Sequence, residues 1–350
     1  MTYFTPEIID KIRRGYYSAI YFSRTKEILE KDGNTRSATM QIFQRHDSIL
    51  CGADEVIELF KIGTGYWDGG KWVDAFDKLK IETLRDGDSI TPLEIVMHVT
   101  GPYHTFAHLE SIYLGILARR TLVATNVRNA VSVASGKSVI FFADRFDHFL
   151  SQEGDGYAAK VGGATGVATP ANAIFFDNKS SGTMPHALIA LYDGDTVRAA
   201  EKFLEYNPDV PLIVLVDFHN DVVEDSLKVA AKFGKKLWGV RLDTSYDMVD
   251  KSLEKREELF GVNPFLVRKL REELDRNGYN HVKIVASGGF TVDKISYFEK
   301  MKTPVDVYGV GSALVKGEND FTADIVKVEE KLISKVGREY RSNSRLRRIG

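Results

Sequence analysis

From about residue 120 onward the chain alternates short apolar runs with amphipathic segments, and this rhythm constrains its fold more than any other feature. The apolar runs are SVIFFA from Ser138, NAIFF from Asn172, PLIVLVD from Pro211, LWGVRLD from Leu237, VKIVAS from Val282 and VDVYGV from Val305. Helical patterns lie between them: DTVRAAEKFLEYN, DVVEDSLKVAAKFG, YDMVDKSLEKREELF with NPFLVRKLREELDRNG, and TVDKISYFEKM. A strand that is apolar on both faces must be covered on both. Helices with one charged side provide that cover, so the pattern predicts an α/β protein with a parallel sheet of six strands. An open doubly wound sheet and a closed barrel both satisfy it. The last two strands favour the barrel. The first of them runs into Ser287-Gly288-Gly289 and the second into Gly309, Gly311 and Ser312, and glycine-rich turns late in the strand order match the phosphate site of α/β barrels.

Before residue 120 the texture differs. IGTGYWDGGKW, TLRDGDSI and PLEIVMHVTGPY read as hairpins and strands of a mixed, mostly antiparallel layer. With 350 residues and 43% hydrophobic content the chain can bury at least one large core. A formal net charge of −2 argues against a bulk electrostatic grip on nucleic acid or an acidic membrane, while specific anionic ligands remain compatible with it. The single cysteine, Cys51, excludes an internal disulfide framework and a cysteine-rich zinc site; it reads as a small buried hydrophobe in a reducing compartment. The amino terminus lacks the basic-then-apolar order of a signal peptide, and no apolar run approaches the roughly 18 residues of a membrane span, so the cytoplasm is the expected location. The basic tail GREYRSNSRLRRIG reads as frayed, solvated chain.

If a phosphate sits across both glycine turns, their composition is explained. Without Cβ atoms at Gly288, Gly289 and Gly311 the backbone can approach the ligand and turn N–H groups onto its oxygens, and each following helix adds the positive end of its dipole. Ser287 and Ser312 can add hydroxyl donors. Other strand ends supply charged and aromatic groups: Phe142 and Arg145 after the first, Asp217 after the third, Arg241 and Asp243 after the fourth. The carboxylates suit a ribose diol, a metal or a developing cation, and the arginine fork suits phosphate or carboxylate. Arg241 and Asp243 could equally pair as structural ions. In SSGTMPHALIA, Thr183 is placed to cap a helix whose first turn holds Pro185 and His186, a position that disfavours the cationic ring and welcomes an anion beside it. Ser181, Gly182 and Thr183 then form a second candidate anion-binding turn.

Taken together, YFSRT from Tyr21, GPYHTFAHLESIYLGILARRTLVATN from Gly101, FADRF, SGTMPH, VRLDTS, ASGGF and GVGSALV resemble the nicotinate phosphoribosyltransferase family of type II phosphoribosyltransferases, in the family's order over most of the chain. The resemblance implies an amino-terminal α/β sandwich domain (1–120, completed by 321–350), an irregular six-stranded α/β barrel (121–320), and a homodimer with shared active sites. It implies that nicotinate and phosphoribosyl pyrophosphate give nicotinate mononucleotide and pyrophosphate, with Mg²⁺ accompanying the pyrophosphate and ATP as a co-substrate that phosphorylates His186. Tyr21 from the partner subunit and Phe142 would sandwich the pyridine ring, with Thr183 beside it. Arg145 and Arg241 would face the nicotinate carboxylate and the pyrophosphate, Asp243 the ribose hydroxyls, and Ser287, Gly288, Gly289, Gly311 and Ser312 the 5′-phosphate. Asp217 or Asp243 would serve the positive charge that develops on the sugar.

The chain departs from the family's pattern in three places. Arg145 is followed by Phe146 where many relatives have a second arginine, leaving one anion contact absent or to Arg119, Arg120 or Arg128. Thr244-Ser245-Tyr246 replaces the usual glycine after the LDS-like motif, and the cysteine-rich zinc knuckle of some relatives is missing. Quinolinate phosphoribosyltransferase is the nearest alternative, and it needs a denser cluster of cations. A nicotinamide-specific enzyme would favour an acidic residue at Met184. A non-catalytic phosphate-binding barrel would have no use for Tyr21, Phe142 and His186 together.

Overall fold

Local signals start the first helix. Thr5 caps α1 (Pro6–Arg13) by accepting from the Ile8 N–H, Pro6 occupies the first turn, and Glu7 and Lys11 sit at opposite ends of the helix. Next come α2 (Ile20–Lys31), β1 (Ser37–Gln44), β2 (Ser48–Ile49) and α3 (Ala53–Gly63). A hairpin joins β3 (Gly65–Asp68) to β4 (Lys71–Asp74) through Gly69 and Gly70, both in the left-handed region that such two-residue loops require. β5 (Lys80–Thr83), β6 (Ser89–Ile90), β7 (Ile95–Pro102) and the long α4 (Glu110–Val133) follow. The computed structural model describes residues 3–177, 179–182 and 184–349. It divides into two compact units, Met1–Thr125 with Gly317–Gly350, and Asn126–Lys316.

The second unit carries the parallel sheet. Its strands are β8 (Ser138–Phe141), β9 (Gly166–Val167), β10 (Leu212–Leu215), β11 (Leu237–Leu242), β12 (Lys283–Ala286) and β13 (Val307–Val310). They pair in the order β10-β11-β12-β13-β8-β9, every contact parallel, and β9 and β10 do not meet. The six-stranded α/β barrel is therefore a curled half-barrel, open between its first and last strands. Its helices are α5 (Gln152–Gly162), α6 (His186–Leu191), α7 (Thr196–Tyr206), α8 (Val222–Phe233), α9 (Pro264–Arg276) and α10 (Val292–Lys300). Asp195, Asp221, Asn263 and Thr291 cap α7 to α10 with side-chain oxygens. Those four short polar residues, each just ahead of an apolar period, make these helices readable from sequence.

Two expected elements differ. NAIFF is not a strand: Asn172–Phe175 forms a 3₁₀ turn, and the second strand of the sheet is Gly166–Val167. The fully buried Asn172 decides this, since its N–H donates to Thr169 Oγ1 at 3.1 Å and its Nδ2 donates to the Gln152 carbonyl at 2.6 Å. Gly156 of α5 packs against the Asn172 backbone so closely that a Cβ would lie 2.2 Å from its carbonyl oxygen. YDMVDKSLEKREELF is not a long helix either. Buried Asp250 instead accepts from the N–H groups of Val222 and Ser252, both at 2.9 Å, and Val249 bridges Phe260. A side chain that caps α8 and folds its own loop competes with the helix its charge pattern suggests.

The chain then forms β14 (Phe321–Val328), β15 (Lys331–Leu332) and β16 (Arg347–Arg348), which complete the sheet of the first unit. Its order is β15-β14-β1-β7-β5-β16, antiparallel throughout. Met40, Ile42, Val96, Val99 and Phe321 from this sheet pack with Leu59 and Phe60 of α3 and with Leu109 and Tyr113 in one apolar cluster. The basic tail is bound rather than frayed. Arg341 N donates to Gln41 Oε1 at 2.8 Å, Asn343 Nδ2 donates to the Ile95 carbonyl at 2.8 Å, and Arg345 pairs with Glu94 at 2.6 Å. Gln41 and Glu94 are distant in sequence, so the tail alone gives no sign of them. Cys51 is a buried free thiol, and burial pushes its pKa up. Among the described residues no helix is long and apolar enough to cross a membrane.

Candidate active site

The carboxyl ends of the parallel strands collect the polar groups of the second unit. A cavity of about 280 Å³ there is lined by Phe142, Asp144, Arg145, Ser181, Gly182, His186, Arg241 and Asp243, among others. A more apolar cavity of about 370 Å³, lined by Ile140, Ile213, Trp238 and Val307, occupies the strand beginnings and shares Phe142, Ser181 and Gly182 with the first. Convergent charge distinguishes the first as the place for chemistry.

Arg241 organises it. Its Nε donates to Ser287 Oγ at 2.8 Å, its Nη2 lies 3.2 Å from Asp243 Oδ2, and its guanidinium stands 5.1 Å from the centre of the Phe142 ring. The buried Ser287 hydroxyl has one proton to give to either the Leu242 carbonyl at 3.0 Å or Asp243 Oδ1 at 2.9 Å. The pairing of Arg241 with Asp243, one of the two sequence readings, is thus present, and it extends to a serine on the adjacent strand. A planar fork held by two neighbours and a ring face is fixed before any ligand arrives.

Gly288 and Gly289 follow Ser287 with φ of +90° and +67°, a conformation that side chains strain. A Cβ on Gly288 would meet Asp243 Oδ1 at 3.3 Å, whereas Gly289 faces open space. Behind this turn, α10 presents its amino terminus, as expected. Gly311 behaves differently. Only a 3₁₀ turn, Ser312–Leu314, follows it, so no helix dipole reaches this second turn. The reason is that the chain leaves the sheet here. Two glycines on β13 and just after it make room for aromatic rings: a Cβ on Gly309 would lie 2.6 Å from the Phe142 ring, and one on Gly311 would lie 2.6 Å from that of Phe146.

His186 is the first residue of α6, with Pro185 at the cap position and no side-chain cap. Thr183, the expected cap and nicotinate contact, lies outside the described residues. His186 Nε2 stands 3.1 Å from Asp217 Oδ2, and the Asp217 carboxyl is nearly buried. This hydrogen bond, aided by the charges of Asp217 and Asp243, raises the histidine pKa above its ordinary value despite burial. The expectation of a disfavoured cation at the helix start is overturned, because a carboxylate in contact outweighs the partial charge of a six-residue helix.

Arg145 stacks on Phe146, with 5.5 Å from guanidinium to ring centre, and among the described residues no carboxylate pairs with it. Two of the three proposed substitutes for a second arginine are committed elsewhere: Arg120 pairs with Glu55 at 2.8 Å, and Arg128 donates to the carbonyls of Val161 and Gly162. Tyr21 lies on α2 in the first unit, 61% exposed, its ring 4.3 Å from that of Phe22. Sequence reasoning missed Lys294. Its Nζ donates to the Gly288 carbonyl at 2.9 Å and stands 4.5 Å from the centre of the Phe290 ring. A signal was available: Lys294 is the third residue of a helix that begins directly after the glycine turn.

An α/β half-barrel with a fixed arginine, two carboxylates, a histidine and a glycine turn at its strand ends defines a binding site for a small anionic, hydroxyl-bearing ligand. Known proteins share this plan. Residues 19–121 match the family described as quinolinate phosphoribosyl transferase, N-terminal domain. The chain is 26% identical to the nicotinate phosphoribosyltransferase of Bacillus subtilis over 239 residues, 67% of this chain and 45% of that protein. It superposes on the crystal structure of nicotinate-nucleotide pyrophosphorylase from Pyrococcus furiosus with TM-score 0.81 and 30% identity, covering 99% of this chain and 85% of that one. Human nicotinic acid phosphoribosyltransferase shares the fold at TM-score 0.67 and 16% identity, covering 90% of this chain and 75% of that one. The chain belongs to the phosphoribosyltransferase family that includes the nicotinate-nucleotide pyrophosphorylase of Pyrococcus furiosus. It spans about half the length of the curated relatives it matches.

Proposed function

We propose that this chain joins nicotinate to phosphoribosyl pyrophosphate, giving nicotinate mononucleotide and pyrophosphate, a salvage step toward NAD. The observation that carries the reading is the Arg241 fork, tied at once to Ser287, Asp243 and the Phe142 face. In the reaction the nicotinate ring nitrogen bonds to ribose carbon 1 as the bond from that carbon to the diphosphate oxygen breaks. Positive charge grows on the sugar and negative charge on the leaving group. Arg241 answers the second change and Asp243 the first, while the ribose hydroxyls fall to the same carboxylate. Pyrophosphate leaves without a strong acid, so alignment over carbon 1 carries much of the rate. Phe142 supplies one face of that alignment, Arg145 meets the carboxylate of nicotinate, and Tyr21 of a second copy supplies the other face in a homodimer with shared sites. The turn at Ser287, Gly288 and Gly289 takes the 5′-phosphate, with Gly311 and Ser312 at its edge.

Among the described residues no three His, Cys, Asp or Glu side chains gather to hold a metal. Asp144 and Asp243 line the cavity and would hold a Mg²⁺ ion there, which would offset the charge of the diphosphate. ATP coupling belongs to the same reading: Asp217 engages Nε2 of His186, so Nδ1 is the nitrogen left to accept a phosphoryl group. A cytoplasmic setting accompanies it. With Arg145 and Arg241 as the arginines lining the cavity, one substrate carboxylate is met more readily than the two of quinolinate. Incubation with phosphoribosyl pyrophosphate and nicotinate, nicotinamide or quinolinate, each with and without ATP, tests this by product mass. The expected product is nicotinate mononucleotide, faster with ATP; product from quinolinate alone would overturn the assignment.

A further inference from the structure

The amine of Lys294 is unusually placed for a lysine at the start of a helix. Such side chains ordinarily extend to water, whereas this one folds back over the turn it follows. Its three N–H groups have one acceptor among the described residues, the Gly288 carbonyl at 2.9 Å, and the Phe290 ring closes another side at 4.5 Å. The nearest carboxylate with an electrostatic influence on it, Asp243, is engaged by Arg241 and Ser287. An ammonium that already reaches the glycine turn through the Gly288 carbonyl keeps further N–H donors to offer an anionic ligand at that turn.

We propose that Lys294 is a ligand-contacting cation of this site, gripping the phosphate ester that the Ser287-Gly288-Gly289 turn receives. The proposal rests on the phosphoribosyl reading above for the identity of the ester, but not for its test. The backbone turn offers partial charges, and Lys294 adds the full charge that a dianion requires. Burial lowers its pKa to about 8, with Asp243 opposing the fall. The amine is therefore mostly charged at pH 7 and mostly neutral at about pH 9.5 in the empty site, and bound phosphate raises its pKa again.

Ribose 5-phosphate binding measured by calorimetry from about pH 7 to 9.5 tests the proposal. The ester is a dianion throughout, since its second ionisation falls near pH 6. Asp243, just after β11, is the charged group that acts on Lys294, and carboxylates do not ordinarily titrate in this window. His186 could contribute a pH dependence of its own, but that part would persist when Lys294 is changed. Wild-type affinity should fall at least fivefold across the window. Lys294→Met should bind about tenfold more weakly at pH 7, and Lys294→Arg, charged throughout, should retain binding and lose the fall above pH 8. Wild-type-like binding by Lys294→Met, an unchanged pH limb in Lys294→Arg, or no binding by the wild type would each overturn the proposal. Should Lys294→Met fail to fold, the Lys294→Arg profile decides alone. Tight ribose 5-phosphate binding by an enzyme that makes no nicotinate mononucleotide would sink the proposed reaction and leave the lysine assignment standing.

Discussion

Phe146 occupies the space that a side chain on Gly311 would need: a Cβ there would lie 2.6 Å from Phe146 Cε2 and 3.1 Å from the Phe142 carbonyl oxygen. The ring is 46% exposed and can swing aside, but the carbonyl belongs to the strand end and cannot. Gly311→Ala should therefore destabilise the protein by about 1–3 kcal/mol, as overpacking does. Adding Phe146→Ala should recover only the ring's share. Urea unfolding of the two single variants and the double variant measures that coupling; full additivity would mean the two residues do not share the space.

Ser287→Ala should cost more than its size suggests. The hydroxyl accepts from Arg241 and stands within reach of Asp243, so its loss leaves a half-buried guanidinium N–H without its acceptor. A loss of about 1–3 kcal/mol in stability is expected. The fork would also lose one of its anchors, so kcat/KM for phosphoribosyl pyrophosphate should fall about tenfold or more, equivalent to at least ~1.4 kcal/mol of transition-state binding. Unchanged kinetics would remove Arg241 from the proposed chemistry.

The titration of His186 should report Asp217. Its folded pKa is raised above 6.5, with the Asp217 hydrogen bond as the main cause, so protonation favours the folded state. The stabilisation is fully present below about pH 6.5 and is lost as the pH rises through the folded value. Proton NMR of the imidazole should show a midpoint above 6.5 in the wild type. In Asp217→Asn the midpoint should drop, because the Asp217 hydrogen bond and charge are lost and only the weaker pull of Asp243 then opposes burial. If both proteins titrate together, the contact is not formed in solution.

Tyr21→Ala should leave stability within about 0.5 kcal/mol of the wild type, since the ring is largely exposed. Activity should nevertheless fall, chiefly through KM for nicotinate. Mixing Tyr21→Ala with His186→Ala chains should restore activity in hybrid dimers, because one of the two sites then combines an intact Tyr21 with an intact His186. Absence of recovery would show that Tyr21 does not act across subunits.

Much of the fold was legible because its determinants are local. Five of the six parallel strands are apolar runs bounded by polar or glycine turns, and four helices begin at Asp195, Asp221, Asn263 and Thr291, whose side chains cap them. The failures share a cause. NAIFF has the composition of a strand, but buried Asn172 is claimed by Gln152 and Thr169; Tyr246–Phe260 has the charges of a helix, but Asp250 is claimed by Val222. The actual second strand, Gly166–Val167, is two residues long and leaves no periodic trace.

The same division runs through the candidate site. Residue order alone determined that Phe142, Asp217, Asp243 and the glycine turns would share one rim, because each ends a parallel strand and parallel strands end together. Tertiary structure alone decided how those residues engage. It joined Arg241 to Ser287, set Asp217 against His186 and so reversed that histidine's expected pKa shift, placed Phe146 against Gly311, and folded Lys294 over Gly288. Periodicity and turn chemistry are written in neighbouring residues. Charge state and contact depend on groups brought together from different strands and helices, and the linear sequence carries no record of those distances.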